Sequence, residues 1–191
     1  MAKQAERPPV LADTLTVNEA AYVAEVSVKA ANQAIDRKQI RSRRLRRGKD
    51  RNVRGVGVSE VVYLRVHHVL APEIRQRFYS WLEGKDMSEL PRRLEVDDVI
   101  IDLSRAIDQV SSRLDSLRRI RGRVEIARDV RGGEPVFRGT RIPVYGVARK
   151  LEAGSSAEEL LEDHPPLREE DLSLAVLYTR LYPRPGRPHL E

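Results

Sequence analysis

Residues 16–40 read TVNEAAYVAEVSVKAANQAIDRKQI, and residues 37–54 run on as RKQIRSRRLRRGKDRNVR. The first stretch spells two capped helices in close succession. Thr16 followed by Glu19 has the spacing of a capping box, the hydroxyl accepting from an early helix N–H while the carboxylate reaches back to the cap. Ala20, Ala21, Val23 and Ala24 are small enough for a second helix to cross closely. Glu25-Val26 makes a turn, and Ser27 is a good N-cap for a helix that runs to about Arg37. The spacing predicts Val28, Ala31 and Ile35 on one apolar face, with Lys29, Asn32, Gln33 and Asp36 pointing elsewhere. Lysine, asparagine and glutamine on such a face suit base-edge and phosphate contacts in a major groove. A helical hairpin of no special function has the same pattern.

The basic stretch after the helix pair bears on that choice. More than half of residues 37–54 are Lys or Arg. Gly48-Lys49-Asp50-Arg51-Asn52 supplies hairpin-turn chemistry between possible strands at residues 40–45 and 53–58. A two-stranded wing bearing Arg37, Arg41, Arg43, Arg44, Arg46, Arg47, Lys49, Arg51 and Arg54 offers point charges along one edge. A duplex backbone asks for that, each charge displacing a counterion. A solvated basic loop or an RNA-binding arm has the same composition. Its place directly after a helix pair favours the wing. Ser59 then caps a helix to about Leu70, and Pro72 opens another ending near Leu82. Val62, Val66, Val69, Ile74, Phe78 and Trp81 are expected to close the core. His67 and His68 are adjacent, so on a helix they diverge and do not chelate one metal together.

Taken in order, residues 15–70 resemble the DNA-binding domain of MerR-like and excisionase-like proteins. Glu25 stands at the turn position where such motifs commonly place Gly. A positive φ there costs a glutamate about 1 kcal/mol.

Residues 94–121 are read as one long helix. Val96, Leu103, Val110 and Leu117 recur every seventh residue, with Ile100, Ile107 and Leu114 interleaved. Ile100, Leu103, Ile107, Val110, Leu114 and Leu117 are the expected seam of a homodimer, which would present two reading helices to two half-sites. A single amphipathic helix on its own chain's core gives the same spacing.

In the last third, Val124-Glu125-Ile126 alternates like a strand, and residues 132–144 read GGEPVFRGTRIPV. Pro143 opens a helix that stops at Gly154, Ser155-Ser156 caps a second, and Pro165-Pro166 ends it. Glu158 and Glu159 sit in its first turn, where the helix dipole favours acids. A third helix covers residues 168–181. Here the chain is similar to the bacterial family known as domain of unknown function 433, whose signature matches Gly132 to Val144 without a gap and again Ala153 to Pro165. The resemblance implies an antitoxin partnered with a PIN-like ribonuclease toxin, and in a longer member a VapB-type antitoxin that also represses its own operon. It points to Arg138, Thr140 and Arg141 as toxin-binding positions; an equally open reading is that the Arg-Gly-Thr-Arg turn only locks the loop onto the helices. Arg184 and Arg187, in the Pro-rich tail, join them because an Arg can pair with the carboxylates of a PIN-like active site.

Composition sets the outer bounds. Net charge is +6 from 35 basic and 29 acidic residues, with 5% aromatics and no cysteine. Disulfides and thiolate metal sites are thereby excluded, and a reducing cytoplasm is the expected location. No apolar run approaches the roughly 20 residues of a membrane span. Asp98 and Asp102, expected to share a helix face, and the Glu169-Glu170-Asp171 run lack a His or third acid to complete a nuclease site, so no enzyme activity, metal or cofactor is expected. The sequence predicts a mainly α chain. Residues 1–83 form a winged helix-turn-helix binding operator DNA, 84–121 a linker and central amphipathic helix, and 122–191 a small three-helix domain with short β-strands and a Pro/Arg tail. The other reading is a stand-alone transcriptional regulator without a toxin partner.

Overall fold

A computed structural model describes residues 14–47, 51–126 and 131–184, and its contacts divide the chain into two units between Asp115 and Ser116. Among the described residues the chain is mainly helical, with eight α-helices and short antiparallel strands. No helix of those residues is long and apolar enough to cross a membrane.

The first unit opens with β1 (Thr14–Thr16), α1 (Val17–Ala24) and α2 (Val28–Asp36). Both helix starts are set by their caps. Thr16 and Glu19 form the capping box, with Glu19 Oε2 accepting from Thr16 N at 2.8 Å, and Ser27 Oγ accepts from Ala30 N at 3.0 Å. Each cap satisfies helix N–H groups that have no intrahelical partner and contributes about 1 kcal/mol. Ala20, Ala21, Val23 and Ala24 are all buried, as the close crossing of α1 with α2 and α3 requires.

Strands β2 (Arg43–Arg47) and β3 (Arg51–Gly57) pair antiparallel, and β1 adds to the far side of β3, giving the order β1-β3-β2. The short β1 strand carries no signal in the sequence; Leu15 alone of its three residues is buried. Gly55 lies where all three strands meet, paired with Thr16 on one side and Arg43 on the other. A Cβ there would lie 2.5 Å from Leu45 Cδ1 and 2.7 Å from Thr14 Cγ2, so any larger residue forces those side chains to shift.

Helix α3 (Val58–Val66) begins after Gly57 rather than at Ser59, and ends in a 3-10 turn at His67–Val69. α4 (Pro72–Leu82) has its proline at the first helical position, where the missing N–H is no loss. Val62, Val66 and Phe78 are core, but Val69 is 71% exposed and Ile74 and Trp81 are only half-buried. The 3-10 turn rotates Val69 away from the stripe that a continuing α-helix would have kept inward.

The expected helix from Leu94 does not form at its start. Residues 93–102 are a hairpin, β4 (Arg93–Val96) and β5 (Val99–Asp102), turning at Asp97, whose φ is 54°. The helix α5 (Ser104–Arg123) comes next. Ile100 therefore sits on a strand, 70% exposed, and not in a helical seam, and Asp98 and Asp102 lie in a turn and a strand, not on one helix face. Leu103, Ile107, Val110, Leu114 and Leu117 are buried within their own chain, so the apolar stripe is a core stripe.

The second unit takes the end of α5, then β6 (Val124–Ile126) paired with β7 (Pro135–Phe137), α6 (Val144–Glu152), α7 (Ala157–Asp163) and α8 (Glu169–Leu181). Ser156 and Glu159 complete the capping box of α7. α6 packs on α8, burying Val147, Ala148, Ala175 and Leu181.

Candidate nucleic-acid interface

Residues 28, 32 and 36 succeed one another at four-residue steps on α2 and form one row, while 29 and 33 form a neighbouring row about 100° further round the helix. Ala31 and Ala34 are buried on the opposite side. Lys29, Gln33 and Asp36 are exposed, Asn32 is half-buried, and Val28 is 43% exposed. Val28 is thus exposed where the expected apolar face would bury it, in the same row as Asn32 and Asp36. Asn32 Nδ2 donates to Val28 O at 3.0 Å. Lys29, Gln33, Arg37, Arg43 and Arg44 form no side-chain hydrogen bond or ion pair with the described residues.

The basic hairpin is held beside these rows. On β3, Arg54 Nη1 donates to Asp36 Oδ1 at 2.6 Å, an exposed pair that ties the strand to the last turn of α2. Arg44 is the cross-strand partner of Arg54. Both are exposed, placing two guanidinium-bearing residues on one face of the ladder. The connection from α2 into β2 is pinned from α4. Tyr79 Oη accepts from Arg41 N at 2.8 Å and donates to the buried Glu60 at 3.0 Å, while Arg41 Nε pairs with Glu83 at 2.5 Å. Burial, and then the Glu60 charge, hold the Tyr79 phenol well above the usual tyrosine range, so it stays a protonated donor. Arg46, Arg47 and Arg51 lie on the paired strands by backbone register, and Lys49 lies outside the described residues.

The turn between α1 and α2 has the geometry that disfavours its own residue. Glu25 takes φ 55° and ψ 42°. Its carboxylate is held by Arg113 of α5 and, at 2.9 Å, by Arg65 of α3; Arg65 also donates to Gln109 at 2.7 Å. Arg113 Nη1 donates to Tyr22 O at 3.2 Å, a carbonyl of the last turn of α1 that also accepts from Glu25 N at 3.3 Å.

His67 stacks on Tyr63 at 5.2 Å, and burial lowers its pKa; its Nδ1 lies 3.0 Å from Leu64 O, so it serves the core edge. Among the described residues no group of acids and histidines is placed to hold a metal ion.

In the second unit the 138–141 turn is built, not loose. Thr140 N donates to Phe137 O at 3.0 Å across the turn, and Gly139 supplies a φ of 74° at the third position, as a type II turn requires. Thr140 Oγ1 donates back to Phe137 O at 2.8 Å and accepts from Ile142 N at 3.1 Å, so this hydroxyl locks the loop. Arg138 is engaged with Arg121 O at 3.3 Å and Glu125 at 3.8 Å. Arg184 pairs with Glu134 and lies 4.5 Å over the Tyr145 ring. Arg141 is exposed and makes no such contact with the described residues; Arg187 lies outside them. Behind the turn, Arg123 forms a two-pronged pair with Asp171, both bonds 2.7 Å. In the sequence Asp171 stands only as the last of a run of acids, and no local signal joins it to Arg123, 48 residues away.

Residues 124–179, the span that contains this turn, match the model of the protein family of unknown function DUF433. Over 190 residues the chain is 33% identical to "Uncharacterized protein y4eO" of Sinorhizobium fredii (strain NBRC 101917 / NGR234), covering 94% of this chain and 86% of that protein. The chain therefore belongs to the same family as that rhizobial protein and carries a DUF433 domain. No solved structure matches it.

Proposed function

We propose that this chain is a DNA-binding regulator of the antitoxin type. In this reading residues 14–70 form a winged helix-turn-helix, with α2 as the recognition helix in the major groove and β2–β3 as the wing on the phosphate backbone. The observation that carries it is the approach of Arg54 to within 2.6 Å of Asp36, which records that the cationic hairpin lies at the end of the polar, exposed helix face. Lys29, Asn32 and Gln33 offer base-edge donors and acceptors, and Arg37, Arg43, Arg44 and Arg54 offer phosphate contacts. Glu25 in the left-handed turn supports the reading, because the two helices reach their crossing through that one residue.

The DUF433 unit is the partner-binding half of the proposal. Its ligand is a PIN-like ribonuclease toxin, and exposed Arg141 is the side chain best free to meet a carboxylate cluster. Thr140 supports that arginine by fixing its turn, whereas Arg138 and Arg184 are engaged within the chain. A homodimer belongs to the proposal, since paired half-sites need paired helices, but through a surface other than the stripe of α5, which the chain covers itself.

The test is to co-express the chain with the product of the adjacent gene and probe the shared promoter. Co-purification with a promoter shift abolished by random-sequence competitor only at large excess is the expected result. A promoter shift without co-purification leaves a stand-alone regulator, and no shift removes the DNA-binding role.

A further inference from the structure

Val28 is the first residue of α2, just after the Ser27 cap, and it is 43% exposed although apolar. Single exposed apolar residues are ordinary. Val28 differs in its company: it shares a row with Asn32 and Asp36, and the buried residues of α2 are Ala31 and Ala34. A β-branched residue in a helix holds essentially one χ1 rotamer, so its two methyl groups stand at a fixed position. Its carbonyl accepts from Asn32 Nδ2 at 3.0 Å, tying the neighbouring amide to the same spot.

We propose that Val28 is a specificity-determining residue that recognises the C5-methyl group of a thymine in duplex DNA, beside the base read by Asn32. The inference rests on α2 being the recognition helix. N-terminal residues of such helices approach base edges, and thymine presents the only methyl group in the major groove. Asn32 and Val28 together would favour an adenine and a thymine at neighbouring positions, because a side-chain amide matches the acceptor and donor of adenine.

The experiment uses the full chain. Wild-type protein first enriches its preferred duplexes from a random library. Each thymine of the enriched site is then replaced singly by deoxyuridine, which removes only the methyl group, and binding is monitored by fluorescence anisotropy for wild type and Val28→Ala. At one thymine per half-site, wild type should lose about four-fold in affinity, the effect of burying one methyl group. Val28→Ala should bind the thymine and deoxyuridine duplexes equally, and Val28→Thr, which keeps one methyl, should fall between. Equal losses in wild type and Val28→Ala at every thymine overturn the role of Val28 while leaving α2 as the reader. A library in which nothing is enriched overturns both.

Discussion

Arg65 donates from Nη2 to the carboxylate of Glu25 at 2.9 Å, across the turn in which Glu25 holds a left-handed φ of 55°. A residue that the backbone disfavours is thus retained by an ion pair, to which Arg113 adds a second arm from α5. The Glu25 side chain remains 33% exposed, so solvent screens the pair and its contribution is modest.

Removing the side chain tests that balance. Glu25→Ala keeps the strained φ and loses both arginines, and should destabilise the first unit by about 1–2 kcal/mol in urea unfolding. Glu25→Gly loses the same contacts but relieves the backbone, so it should be milder by about 1 kcal/mol. Equal losses in the two variants would mean that the turn is not strained.

At the strand crossing, Gly55→Ala places a Cβ within 2.7 Å of Thr14 Cγ2 and closer still to Leu45. Overpacking of this kind should lower stability by about 1–3 kcal/mol. A Leu45→Ala replacement in the same chain, by opening the space, should recover part of the loss in thermal melts.

In the second unit Asp171 is 2% exposed and faces Arg123. Burial pushes its carboxyl up, but the Arg123 guanidinium and the Arg168 N–H outweigh that and hold it below the usual carboxylate range. A lowered folded value means stability that is fully present above the ordinary Asp range and lost as pH falls through the lowered value. Asp171→Asn should therefore destabilise by about 2–4 kcal/mol at neutral pH, less than a wholly buried pair because Arg123 is partly exposed. It should also flatten the acid limb of the stability–pH curve; an unchanged limb would assign that limb to other carboxylates.

Asp36 sits among the DNA-facing residues of α2 in the proposed reading and neutralises Arg54 in the free protein. Such an exposed pair is weak, so a phosphate can replace the carboxylate. Asp36→Asn should tighten binding to specific and random duplexes alike, several-fold, and steepen the salt dependence. Loss of affinity confined to the preferred site would instead make Asp36 a base reader.

Much of the fold is legible locally. Thr16/Glu19, Ser27, Pro72 and Ser156/Glu159 each mark a helix start through a cap or proline, and these signals need only neighbouring residues. Residues 93–102 are not legible as a hairpin, because Val96, Leu103, Val110 and Leu117 keep a seven-residue beat that masks the two-residue alternation of Leu94 and Val96 around an Asp-Asp turn. Val28 reads as apolar and therefore inward, yet it is 43% exposed, while Ala31 and Ala34 are the buried residues of α2. Two of the clasps that position the candidate interface, Asp36 with Arg54 and Arg41 with Tyr79, join residues 18 and 38 apart, and the pair of Glu25 with Arg65 spans further still. Only the folded chain brings such pairs together.

The most direct measurement is the salt dependence of duplex binding by wild type and by the Arg43→Ala/Arg44→Ala double variant, on the preferred site and on random DNA. If the hairpin grips phosphates, the slope of log K against log salt should become shallower by about two, with equal affinity losses on both duplexes. An unchanged slope would contradict the account, because the hairpin would then not be at the backbone.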